Sequence, residues 1–219
     1  MSEFRVGPRD KARAVHHFES LSDAYNRAVE RGPLKYIRAR ERRAVFDLAR
    51  FDDPSVATMI DVGCGGGVYA LAAKAAGLHV TAVDVSPGMI DTVASKVDQA
   101  VVGDLESLRL QTTYQVVVCS GVLEYALSPE IAVENLCRLV APGGRLVIQT
   151  PRASVGGSLY ALWVRSSLRW RVNLLAMGWL AHEVARWGLD LVRFEYPLPF
   201  NLVALFARPV ILAAELHRP

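Results

Sequence analysis

Apolar positions change their period along the chain. In the first fifty residues Val15, Phe18, Leu21 and Tyr25 recur at helical spacing, and Gly32-Pro33 interrupts the run. A second helix is predicted from about Leu34 to Ala49, with Arg38, Arg42 and Arg43 along it, ending at Asp52-Asp53-Pro54. From residue 56 the pattern becomes one of short, apolar, β-branched runs: Val56–Ile60, His79–Val83, Ala100–Val102, Val116–Cys119 and Arg145–Gln149. Between them lie helical stretches at Val68–Ala76, closed by Gly77, after Ser86-Pro87, and from about Pro129 to Val140, ended by Pro142-Gly143-Gly144. Strands apolar on both faces, alternating with helices, predict a doubly wound α/β fold with a mostly parallel sheet.

Beyond Thr150-Pro151 the alternation stops. Residues 152–178 mix Arg152, Arg165, Arg169 and Arg171 with Leu159, Leu162, Trp163, Leu168 and Trp170. They are predicted as a helical insertion after the fifth strand, a lid with an apolar surface edged by arginines. A helix around Leu180–Trp187 and two last strands, Asp190–Glu195 and Asn201–Phe206, complete the chain. The expected organisation is an N-terminal helical cap at 1–55 and an α/β domain at 56–219.

Composition narrows the class of protein. At 219 residues with 52% hydrophobic side chains, one domain with a substantial core is expected. Lys and Arg outnumber Asp and Glu by 12 to 7 in residues 1–50 and 8 to 4 in 151–219, whereas the centre is acidic at 5 against 11. An acidic centre without a nucleic-acid-binding module disfavours nucleic acid as a partner. The basic flanks leave room for an anionic acceptor or a peripheral membrane contact. Cys64, Cys119 and Cys137 form no CxxC pair, so neither a metal site nor a disulfide framework is expected. Met1-Ser-Glu-Phe-Arg carries no apolar leader, and Leu202–Leu216 is broken by Arg208-Pro209 and too short to span a bilayer. A cytoplasmic protein is expected.

The chemistry concentrates in Asp61-Val62-Gly63-Cys64-Gly65-Gly66-Gly67, directly after the first strand of the sheet. Glycines there let a ligand approach the backbone closely, at the crevice where open parallel sheets bind ligands. Asp84 ends the next strand, 21 positions after Gly63, where a carboxylate can accept both hydroxyls of a ribose. A dinucleotide enzyme would share these features, but its fingerprint wants glycine or alanine at position 68, and this chain has Val68.

The segment from about Thr58 to Pro151 resembles the class I S-adenosylmethionine-dependent methyltransferases. Asp61–Gly67 is similar to that family's first motif and Val83-Asp84-Val85-Ser86-Pro87-Gly88-Met89 to its second. Gly103-Asp104-Leu105 is similar to the third, Cys119–Tyr125 to the fourth, and Leu139–Gly144 to the helix end that follows. The resemblance implies a Rossmann-like seven-stranded sheet whose last strand is antiparallel, and S-adenosylmethionine as cofactor. It implies cofactor contacts from Asp61, Gly63, Gly65, Asp84, Val85, Met89, Asp104, Leu105 and Ser120, with Tyr25 against the methionine end.

Many small-molecule members carry histidine where this chain has Tyr125, so no general base is assigned there by analogy, and Tyr125 is the candidate catalytic residue only as an acceptor-orienting hydroxyl. His16 and His17 sit on the helix that in this family folds over the cofactor, and Arg38 is one of several arginines able to face a carboxylate. His182 reads as structural. The acceptor expected is a small hydrophobic or anionic molecule: a natural product, a quinone or lipid, or a tetrapyrrole. A methyltransferase-like regulatory subunit and a NAD-dependent oxidoreductase are the alternatives, and a homodimer is compatible with the pattern.

Overall fold

The computed structural model describes residues 5–22, 35–195 and 211–217. In chain order the elements are α1 (Pro8–Leu21), α2 (Lys35–Ala49), β1 (Thr58–Val62), α3 (Val68–Ala75), β2 (His79–Asp84), α4 (Pro87–Val93), β3 (Gln99–Val102) and β4 (Tyr114–Ser120). After a 3-10 turn at Leu123–Tyr125 come α5 (Pro129–Arg138), β5 (Val140–Pro151), α6 (Val155–Ser167), α7 (Met177–Ala185), β6 (Asp190–Glu195) and β7 (Ile211–His217). Tyr25, Gly32-Pro33 and the strand expected at Asn201–Phe206 lie outside the described residues.

The sheet runs β3-β2-β1-β4-β5-β7-β6. β1 to β5 are mutually parallel, and β7 pairs antiparallel with both β5 and β6. Strand order reverses between β1 and β4, so a crevice opens beyond their carboxyl ends. The continuous apolar runs are explained by burial on both faces. Ile60, Val62, Val117 and Cys119 pack toward one helical layer, while Met59, Val116 and Val118 pack toward the other.

Local chemistry starts the helices where the sequence places proline and serine. Pro8 and Pro87 occupy first turns, the Asp10 carboxylate accepts the Gly7 N–H at 3.0 Å, and Ser86 Oγ accepts the Met89 N–H at 3.1 Å. Ser154 Oγ likewise accepts from Gly157 N at 3.0 Å and opens α6. Among the described residues no helix is long and apolar enough to cross a membrane.

Two expectations need correction. The helix predicted to run to Val140 ends at Arg138, because Val140 is taken into the sheet opposite Tyr114. Between that pair and Val116–Arg145 the register shifts, so Pro142-Gly143-Gly144 form an irregularity inside β5 and not a helix stop. Residues 152–178 hold the helix Val155–Ser167 and the first residues of α7, with a non-helical stretch between them. That stretch is held extended by the Arg152–Leu175 bridge and by Asn173. Trp170 therefore lies in the core, 4% exposed, and not on the apolar surface where it was expected.

Candidate active site at the carboxyl edge

A pocket lies across the carboxyl ends of β1, β2, β3 and β4, roofed by α1. Its floor is the turn after β1. Gly63 has φ +77, and its N–H donates to the Val83 carbonyl at 2.7 Å. A Cβ at Gly63 would stand 2.0 Å from Val122 Cγ2, so the wall is closed unless this residue is glycine.

Asp84 lines the pocket with its carboxylate fixed from behind: Oδ2 accepts the Gly65 N–H at 2.8 Å and Oδ1 the Ser86 N–H at 2.9 Å. Burial raises its pKa and those backbone donors oppose the shift. Val85, Met89, Asp104, Leu105 and Ser120 also line the pocket, as do Gly63 and Gly65. Asp61 stands below them. Its Oδ2 accepts from Ala70 N at 3.1 Å, whereas Oδ1 is buried with no partner among the described residues. Burial first, then the charge of Asp84, push the Asp61 pKa up to about 7 against the Ala70 hydrogen bond.

These features fit S-adenosylmethionine. A side chain at Gly63 would displace the pocket-lining Val122, the pocket-lining Asp84 carboxylate has acceptor capacity beyond its two backbone donors, and the orphaned Asp61 oxygen suits an ammonium. Once bound, the cofactor supplies an activated methyl group on a sulfonium, and the protein's task is alignment and exclusion of water.

α1 closes this pocket with residues that sequence reasoning missed. Lys11 ion-pairs with Asp104 at 2.6 Å and with Glu106. Burial pulls the Lys11 pKa down, and the two acids more than reverse it, so the ammonium is held charged. Two turns on, Glu19 accepts hydrogen bonds from Ser86 Oγ and from Gly88 N at 3.2 Å. The available signal was two opposite charges eight apart on a short helix, whose partners lie 67 to 95 residues away.

On the far side of Ser120 lies a second polar group. Ser120 Oγ donates to Gln149 Oε1 and stands 3.4 Å from Tyr69 Oη. Gln149 also meets the buried Glu41 carboxylate, whose pKa burial raises against the Arg38 charge and the Gln149 hydrogen bond. Tyr125 lines the pocket, stacks edge-on with Phe18 at 5.4 Å and hydrogen-bonds Tyr160. Glu124 beside it is buried, with Oε2 unpartnered among the described residues. His17 meets Phe18 edge-on and Trp170 at a tilt, while His182 and His16 lie away from the pocket lining. Among the described residues no group of three or more His, Cys, Asp or Glu could hold a metal ion.

A methyltransferase-domain family model matches residues 34–196. The mitochondrial ubiquinone biosynthesis O-methyltransferase of Schizosaccharomyces pombe is 36% identical over 101 residues, 42% of this chain and 37% of that protein. The ubiquinone biosynthesis O-methyltransferase of Coxiella burnetii is 26% identical over 184 residues, covering 81% of this chain and 75% of its own length. In fold, the chain is similar to the magnesium protoporphyrin IX methyltransferase of Synechocystis crystallised with S-adenosylhomocysteine. That match has a TM-score of 0.73 and 19% identity over 96% of this chain and 100% of the other. With a family match over most of its length, the glycine turn after β1 and the carboxylate ending β2, the chain belongs to the class I S-adenosylmethionine-dependent methyltransferases.

Proposed function

We propose that this chain transfers the methyl group to a hydroxyl of a hydrophobic phenol of the quinone-precursor type, taken up from a membrane or micelle surface. The observation that carries the reading is the two-sided character of α6. Its inner face, Ala161 and Val164, packs on Ala14 and Trp170 beside Phe18 and Tyr125, which line the pocket. Its outer face exposes Val155, Leu159, Leu162 and Trp163 at 51% to 71%, at helical spacing on one side. Arg165 and Arg169 flank that stripe. Such a helix suits an anionic lipid surface, and its inner side delivers to an aromatic chamber. The names of the two O-methyltransferase relatives support the acceptor class.

In this reading the sheet is the family's seven-stranded sheet, residues 1–55 are a cap and 152–178 a lid on the acceptor side. Asp84 takes the ribose hydroxyls, Asp104 and the Leu105 amide hold the adenine, and Val85 and Met89 flank it. Asp61, Gly63, Gly65 and Ser120 receive the methionine end, and Tyr125 orients the acceptor hydroxyl. Tyr25 belongs to the same proposal on its sequence position alone.

The test is a mass-shift assay with S-adenosylmethionine and three acceptors: a farnesylated catechol, catechol itself, and a tetrapyrrole carboxylate. One methyl gained on the farnesylated catechol is expected, with sedimentation of the protein on phosphatidylglycerol vesicles. Replacing Leu159 and Trp163 by serine should reduce sedimentation and leave S-adenosylhomocysteine affinity unchanged in calorimetry. Methylation of the tetrapyrrole alone would overturn the phenolic reading, and sedimentation indifferent to the double substitution would overturn the role of α6.

A further inference from the structure

Glu124 is a buried acid with half of its carboxylate unused. It sits in the turn after β4, between two residues whose carbonyls accept from one amide: Asn173 Nδ2 donates to Leu123 O at 3.3 Å and to Ala126 O at 2.7 Å. The Asn173 N–H also donates to the Glu124 carbonyl at 2.8 Å, so the backbone of the turn is pinned on both sides. The side chain is directed inward, 5% exposed, and Oε2 has no hydrogen-bond partner among the described residues. A buried carboxylate oxygen left unpaired is costly, and such an orphan calls for an explanation in what it meets during function.

Its position supplies one. Gly121 lines the pocket, and a Cβ built on it would lie 3.8 Å from Glu124 Oε1, an ordinary van der Waals contact. Gly121 has φ +71 and no side chain, so the carboxylate stands, through Oε1, behind this stretch of the pocket wall. Its charge acts on Tyr160 of α6 and Cys119 of β4, Glu41 and Arg38 of α2 act on it in turn, and Tyr125 is adjacent in its own turn. None of these groups neutralises Oε2 by contact.

We propose that Glu124 is the general base of the methyl transfer, its carboxylate taking the proton of the acceptor hydroxyl. As the new O–C bond forms, the C–S bond breaks with its electron pair returning to sulfur. The proton rests on Glu124 until the methyl ether leaves and water removes it. The assignment rests on the phenolic reading above and supplies a base where a tyrosine phenol is in general too weakly acidic to serve as one at neutral pH. Burial first, then the Glu41 charge, push Glu124 up to about 8, with its own backbone hydrogen bond and Arg38 opposing. A carboxylate so raised stands nearer to a phenol than an ordinary glutamate does, which makes proton transfer less uphill.

The experiment compares the full chain with Glu124→Gln on two probes: farnesylated catechol and its nitro derivative, whose hydroxyl is already ionised near neutral pH. Single-turnover rates on the first probe should fall by about a hundredfold or more, and on the second by less than about threefold. The wild-type rate on the first probe should rise with pH to a plateau with its midpoint near 8, and this limb should be absent from the variant. Carbon-13 spectra of glutamate-labelled protein bound to S-adenosylhomocysteine should show one carboxyl titrating near that pH, missing in Glu124→Gln. Equal loss on both probes with unchanged S-adenosylhomocysteine affinity, or no loss on either, would overturn the base assignment alone. A wild type that methylates neither probe would overturn the phenolic reading and this proposal with it.

Discussion

Gly63 shows how narrowly single residues shape the donor side. Its φ of +77 costs any other L-residue about 1–2 kcal/mol, and the 2.0 Å approach of Val122 adds a steric term. Gly63→Ala should lower stability by about 1–3 kcal/mol and weaken S-adenosylhomocysteine binding by more than about tenfold. Urea melts and calorimetry will read the two effects, and full-strength binding in a folded variant would contradict this account of the floor. Gly63, Gly65 and Asp84 were legible in the sequence because close backbone approach and a strand-end acid leave their mark in residue type and spacing. Glu124, Glu41 and Gln149 were not, since charge and amide groups read as surface until tertiary contacts bury them. The trace they left was Gln149-Thr150 closing an otherwise apolar strand run.

Among the elements, α1 contributes most through what it ties together. Lys11 reaches the loop after β3, Glu19 the loop after β2, and the Asp10 carboxylate accepts the Arg171 N–H at 3.2 Å. The same helix thus fastens both donor loops and the segment after α6. Charge-assisted hydrogen bonds of this partly buried kind contribute about 1.5–3 kcal/mol. Glu19→Ala should therefore raise the Kd for S-adenosylhomocysteine by about tenfold, mainly through faster dissociation in stopped-flow traces. An unchanged dissociation rate would show that α1 does not hold the roof. Element type followed from periodicity across the parallel sheet, where apolar runs can serve only as doubly buried strands. It failed past Pro151, where tryptophans and arginines at similar spacing describe both a helix and an extended strap. Only Asn173 and the Trp170 burial site separate them.

For the molecule as a whole, raised acids set a pH dependence, with Glu41 and Asp84 shifted in the same direction as Asp61 and Glu124. Asp61 and Glu124 are held at about 7 and about 8 in the folded state, against ordinary values of 3.8 and 4.5. The folded chain therefore keeps protons that the unfolded chain releases. The advantage of the neutral acids is whole at low pH and is lost as pH rises toward the folded values. Each group steepens the decline by up to about 1.4 kcal/mol per pH unit between its two values. Urea midpoints of the cofactor-free protein should fall from pH 5 to pH 8, and Glu124→Gln should flatten the fall. A midpoint that rises over this range would place both carboxyls back in the ordinary range.

The irregularity at Ala141–Gly144 has a consequence for how this fold tolerates change in chain length. Two steps along β4, from Tyr114 to Val116, are matched by five along β5, from Val140 to Arg145, and regular pairing then runs on to Ser120 opposite Gln149. An insertion or deletion in this slack can be taken up locally, whereas one residue gained or lost between Arg145 and Gln149 would turn Gln149 to the opposite face. Length variation in relatives of this chain should accordingly collect in the bulge and stop short of the polar end of the strand.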